Sequence, residues 1–164
     1  GRRAGRRSGR QRQGRGPDPH VIDAFNKGDA KGAAATHLAS VSIIDEFPPH
    51  YWTGAGAFNG WMADLEKSDK AAGDTDGKVI LGATTDEQVE GDRAYAVTSA
   101  LYTYNEKGAA MRERGHFTFA LQRGKGGWKI AAWAWSGSNP MAAPAAKPAA
   151  AAKPAASAKP APGT

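Results

Sequence analysis

The sequence predicts an α+β fold: an antiparallel meander of long strands with a few helices segregated ahead of it. Three observations predict it. Helical spacing is confined to the first half of the central stretch. Four long strand-like runs follow, separated by tight-turn signals. The third of these runs alternates apolar and polar residues, and the last crowds three tryptophans into eight residues.

The ends differ from the middle. Gly1 to Gly16 holds seven of the 22 Lys and Arg residues and no acid, and the stretch after Pro140 adds three lysines and no acid. These ten exceed the whole net charge of +6, so the stretch between them is acidic by about four charges. The basic sequence therefore does not describe a basic domain, and a nucleic-acid-binding surface on the folded part is not expected. Residues 1–17, Gly- and Arg-rich, cannot bury apolar surface and are expected to be unstructured. They read either as an RNA-binding arm or as the product of a misassigned start. Residues 140–164 repeat Ala-Lys-Pro units, which favour an extended, solvated tail. The domain is expected over residues 18–139, a length that buries a real core.

There are no cysteines, so disulfides, thiol catalysis and cysteine metal sites are excluded. No apolar run approaches the roughly 20 residues that cross a bilayer, and no apolar segment follows the basic N-terminus as in a signal peptide. The expectation is a soluble protein without membrane contact, either cytoplasmic or exported.

Along the chain, Val21, Ile22 and Phe25 lie at helical spacing and stop at Asn26-Lys27-Gly28-Asp29. Asp29 can cap a second, alanine-rich helix from Ala30 to Leu38. Val41 to Ile44 reads as a short strand. Asp45 to Gly54 reads as a loop, because Pro48 and Pro49 oppose regular structure. From Ala55 to Lys70, Phe58, Trp61, Met62 and Leu65 form one helical stripe. Gly73 to Gly77 reads as a turn. Strands are expected over Lys78–Thr85, Arg93–Asn105, Met111–Gln122 and Trp128–Gly137. The connections Glu90-Gly91-Asp92, Asn105-Glu106-Lys107-Gly108 and Gly124-Lys125-Gly126-Gly127 are hairpin signals.

In the third long strand Met111, Phe117, Phe119 and Leu121 share one parity, while Arg112, Arg114, His116 and Thr118 share the other. In the last strand Trp128 and Ile130 have one parity, and Trp133 and Trp135 the other. Either a bulge near Ala131-Ala132 resets the register, or both faces are covered there, as a dimer would do.

The order helix, Asn26-Lys27-Gly28-Asp29, helix, short strand, Trp61 helix, and strands ending in Gly127-Trp128-Lys129-Ile130 resembles the nuclear transport factor two-like superfamily. Within it the chain is similar to SnoaL-like bacterial domains of unassigned function, over about Val21 to Ser136. The resemblance implies a cone-shaped curved antiparallel sheet wrapped around helices, an apolar pocket and frequent homodimers. Its enzymes include ketosteroid isomerase, scytalone dehydratase, limonene epoxide hydrolase and polyketide cyclases, while other members only bind or scaffold. One departure is the first helix, which is usually several turns long; only His20 to Phe25 reads as helix here.

The resemblance also implies a carboxylate or His–carboxylate pair in the cavity, often with a tyrosine donor. An apolar cavity raises a carboxyl pKa toward useful values. Asp45, at the end of the first strand, is the base candidate, against a loop acid bonded to local backbone N–H groups. Glu46 is expected to point the other way. His50 is a pocket-mouth acid–base candidate or a solvated loop residue. Tyr51 or Tyr102 would donate to a developing oxyanion. Phe47, Trp52, Trp61, Tyr102, Trp133 and Trp135 would line the pocket, against ordinary core packing. His116 reads as a sheet-face residue, His20 and His37 as structural or exposed, and Asp64 as exposed beside Lys67. A site from His50, His116 and Asp45 has no close-spaced ligand pair, so no metal is expected. Phosphate-loop, nucleophile-elbow and dinucleotide motifs are absent, and no cofactor is expected. The expected ligand is a small apolar or ring-bearing molecule, turned over by isomerase, dehydratase or cyclase chemistry; the alternative is a non-catalytic binding or dimeric assembly module.

Overall fold

The computed structural model describes residues 30–144. The first expected helix, the Asp29 cap of the second, the arginine arm and the tail from residue 145 lie outside the described residues. A short helix α1 (Ala30–Ala35) leads into strand β1 (His37–Ile44) and its partner β2 (Tyr51–Ala55). Helix α2 (Ala57–Ala72) follows, and then the meander β3 (Asp74–Glu90), β4 (Arg93–Glu106), β5 (Ala109–Gly124) and β6 (Gly127–Gly137), with a two-residue β7 (Met141–Ala142). Among the described residues these strands form one unclosed seven-stranded sheet in the order β2-β1-β6-β5-β4-β3, with β7 on β5. All pairings are antiparallel except β1 with β6. The α+β class and the largely antiparallel sheet are those the sequence predicts.

The turns form where glycine permits positive φ. Lys107 (φ 49°) and Gly108 (φ 85°) close the β4–β5 hairpin between the paired Glu106 and Ala109, the geometry that matches strand twist. Helix α2 begins after Gly56 and ends at Gly73, both left-handed, and the Gly73 N–H caps the carbonyls of Asp69 and Lys70. Its buried residues Ala57, Phe58 and Trp61 face the sheet. There they meet Ile43 of β1, Phe117 and Phe119 of β5, and Trp133 of β6 in one apolar core.

The bulge resolves the parity puzzle of β6. Ala120 pairs with Ala132, but Leu121 pairs with Ile130, leaving Ala131 as the extra residue. That one residue turns Ile130, Trp133 and Trp135 to the same buried face.

Four boundaries differ from the sequence reading. The alanine-rich helix ends at Ala35 rather than Leu38, because His37 already pairs with Ile130 and the Ile130 N–H bonds the Thr36 carbonyl. Sheet pairing overrides alanine's helical preference. The expected loop 45–54 is a tight turn followed by β2, since the prolines are confined to the turn, whose Pro48–Pro49 bond is cis. The expected turn 73–77 shrinks to Gly73, because β3 pairs with β4 from Asp74 onward and continues past Thr85 to Glu90 through local register irregularities. Finally, the fold passes Asn139: Met141 and Ala142 pair with Arg112 and Met111, and the Ala143 N–H bonds the Ala110 carbonyl. The β5 strand outruns β6 there, and its free edge recruits the next available backbone.

Candidate active site

The concave side of the sheet and helix α2 enclose a cavity of about 190 Å³. Helix α2 contributes Phe58, Trp61, Leu65, Ser68 and Asp69 at 3- and 4-residue spacing. The inward parities of β4, β5 and β6 contribute Tyr102 and Tyr104, Glu113, Phe117 and Phe119, and Ile130, Trp133 and Trp135.

Asp45 occupies the wall where β1 ends. Its Oδ2 accepts the Trp61 indole N–H at 2.9 Å and its Oδ1 accepts the Glu46 backbone N–H at 2.7 Å. Asp45 thus bonds a local backbone N–H and also lines the cavity. Burial raises its pKa to about 6, against the lowering effect of these two hydrogen bonds.

Glu46 does not point the other way. The strand ends at Ile44, so alternation no longer applies, and the side chain turns inward to accept the Trp135 indole N–H at 3.2 Å. The residue as a whole remains exposed.

Glu113 is the acid the sequence reading missed. It is 2% exposed on the inward face of β5. Its Oε1 finds no hydrogen-bond donor among the described residues. Burial, and then the carboxyl of Glu46 bonded to it, push its pKa up to about 8. Gly137 makes room for this pair: a Cβ there would overlap Glu113 Oε1 and crowd Glu46 Oε2. The signal was present in the sequence, since Glu113 shares its parity with Met111, Phe117 and Phe119.

A second acidic end lies between α2 and β3. Burial, and then the charge of Asp74, raise Asp69 to about 6. Asp74 is raised by burial and then by Glu106, and its Oδ1 is buried without a hydrogen bond. The stacked rings of Tyr102 and Tyr104, 4.9 Å apart, close this end. Burial above all, with the surrounding carboxylates, raises the Tyr102 phenol and keeps it neutral.

His37 is buried and structural. Its Nδ1 donates to the Ala33 carbonyl at 2.8 Å, which leaves Nε2 to accept the Trp133 indole N–H at 3.1 Å. Those two bonds fix one neutral tautomer, and burial lowers the pKa.

Of the sequence-predicted residues, Asp45, Phe47, Trp61, Tyr102, Trp133 and Trp135 line the cavity. Three do not. His50 is exposed on the turn, its Nδ1 donating to the Asp45 carbonyl at 3.1 Å. Tyr51 is 56% exposed on the outer side of β2. Trp52 is buried beyond the wall, where its indole N–H bonds Asp64 at 2.8 Å. Asp64 is therefore an acceptor for Trp52 rather than an exposed acid beside Lys67. His116 is exposed on β5. Among the described residues, no group of three or more His, Asp and Glu residues could hold a metal ion.

A SnoaL-like domain model matches residues 20–142. The chain belongs to the SnoaL-like domain family. Solved structures agree on the fold. An NTF2-like superfamily protein from Salmonella enterica shares 17% identity at a TM-score of 0.60, over 73% of this chain and 84% of that one. A ketosteroid isomerase-like protein from Erwinia carotovora atroseptica shares 18% identity at 0.55, over 73% and 89%. An NTF2-like protein with a cystatin-like fold from Novosphingobium aromaticivorans shares 17% identity at 0.56, over 70% and 73%. At these identities the likeness concerns the fold. No curated protein matches the chain by sequence. Among the described residues of this SnoaL-like domain, no helix is long and apolar enough to cross a membrane.

Proposed function

We propose that this SnoaL-like domain binds a small ring-bearing molecule in its cavity and moves a proton on it, with Asp45 as base and Tyr102 as neutral O–H donor. The observation that carries this reading is the Asp45 carboxylate, fixed by the Trp61 N–H on an aromatic wall and raised to about 6. A base of that pKa is mostly ionised at neutral pH yet strong enough to accept a proton from carbon next to a carbonyl. The ketosteroid isomerase-like description of one structural neighbour supports the same reaction class.

The step balances within the site. Asp45 takes the proton, the C–H electron pair moves into the carbonyl, and the Tyr102 O–H hydrogen-bonds the resulting enolate oxygen. From a β,γ-unsaturated ketone Asp45 then returns the proton to the γ carbon, giving isomerisation; where the β carbon bears a leaving group, the enolate pair forms the new double bond and the group departs with its bonding electrons, giving elimination.

The test is deuterium exchange. The full chain is incubated in D2O with a panel of cyclic and aryl ketones, and exchange at the carbon beside the carbonyl is followed by NMR. Catalysed exchange should fall about 10²–10⁴-fold in Asp45→Asn while ligand binding persists. Exchange that survives Asp45→Asn overturns the assignment of the base. Binding without exchange in the wild type leaves a non-catalytic binding module.

A further inference from the structure

The cavity carries five carboxyl groups, Asp45, Glu46, Asp69, Asp74 and Glu113, and no lysine or arginine among its described lining residues. An anionic or neutral ligand leaves that imbalance in place. Glu113 presents it most sharply, because it lines the cavity, is only 2% exposed, and its Oε1 has no hydrogen-bond donor among the described residues. A buried acceptor with no donor is destabilising, and a second carboxyl beside it adds to the cost. The fold preserves this arrangement by keeping Gly137, the residue whose Cβ would collide with both carboxyls.

The surrounding walls present rings. Trp133 and Trp135 both lie against Phe117, at centroid distances of 5.7 Å and 4.9 Å. Ring faces attract a diffuse positive charge, whereas a hard metal ion needs converging oxygen ligands. The described acids do not converge in that way.

We propose that the cavity takes an organic cation, a protonated or quaternary amine on a ring, anchored at the Glu46–Glu113 end. This deepens the reading above and rests on the cavity being a ligand site. On binding, the nitrogen takes the place of the proton that the Glu46–Glu113 pair holds, which leaves to solvent, and the ring fills the aromatic wall toward Asp45.

Two probes of one shape test it: para-hydroxyphenyltrimethylammonium and its neutral isostere para-tert-butylphenol. Each is titrated calorimetrically into the full chain at pH 7.5 and again into Glu113→Gln. The cation should bind roughly 10-fold or more tighter than the phenol, and Glu113→Gln should remove most of that preference while leaving the phenol within about 2-fold. Equal or tighter binding of the phenol to the wild type overturns the cation proposal and leaves the ring-binding reading standing. An equal loss of both probes in a folded Glu113→Gln also overturns it. Failure of both probes to bind the folded wild type overturns both readings. If Glu113→Gln does not fold, Glu46→Gln carries the same comparison.

Discussion

Asp45 and Trp61 form the contact on which the proposed chemistry depends. The indole N–H stabilises the ionised carboxylate and so holds its pKa below what burial alone would produce. Trp61→Phe keeps a ring in the wall and removes the donor. The Asp45 pKa should then rise above its value of about 6, read by carbon-13 NMR titration of the side-chain carboxyl. The acid limb of any pH–rate profile should move up with it, because the base must be ionised to act. An unmoved titration would show that the hydrogen bond is not what tunes this carboxyl. His37 serves a different purpose. With Nδ1 donating and Nε2 accepting, its ring joins α1 to β6 and has no free nitrogen for proton transfer.

At the scale of the elements, the bulge at Ala131 decides which way the last strand presents its tryptophans. Deleting Ala131 restores plain alternation, so Ile130 and Trp133 can no longer share the buried face. The expected result is loss of near-UV circular dichroism and of cooperative thermal unfolding; a native-like melt would show that the bulge is dispensable. Gly115 of β5 has a related task, because a Cβ there would meet the Trp135 ring at 2.6 Å. Gly115→Ala should destabilise by about 1–3 kcal/mol through that overlap, measured by urea denaturation. Both changes act on how β5 and β6 close the cavity, and neither touches Asp45.

For the molecule as a whole, the acidic cavity makes stability depend on pH. Glu113 keeps its proton in the fold up to about pH 8, against 4.5 in the free chain. Between those values the folded state binds more protons than the unfolded one, so stability falls as pH rises. Asp45 and Asp69 act in the same direction but are spent near pH 6. His37, with its lowered pKa, acts in the opposite direction and only below its ordinary value of 6.5. From pH 6.5 to 8.5 Glu113 therefore dominates among these groups. The melting temperature should drop by roughly 5 °C across that range in the wild type. Differential scanning calorimetry should find Glu113→Gln nearly flat over the same interval; a parallel drop in both would remove Glu113 as the cause.

Much of this was legible in the sequence because it is local. The helical stripe of α2, the three hairpin turns of the meander and the alternation of β5 each depend on residues a few positions apart. Asp45 could be picked out because it closes a strand just ahead of a proline turn and a run of aromatic residues. Glu113 was legible in principle, as an acid on the apolar parity of its strand. Glu46 was not, because its direction depends on where β1 stops. The end of α1 was set by pairing with Ile130, 93 positions after His37, and the place of β7 by a free edge on β5. Likewise Trp52 and Trp61 read alike on paper, yet the first bonds Asp64 outside the cavity and the second bonds Asp45 on its wall. The sequence by itself determined the fold class, the long strands, their turns and the aromatic wealth of the site, since periodicity and turn chemistry are short-range properties. Only the tertiary structure decided which acids share the cavity and which lack a positive partner, because burial and charge pairing are set by residues brought together from opposite ends of the chain.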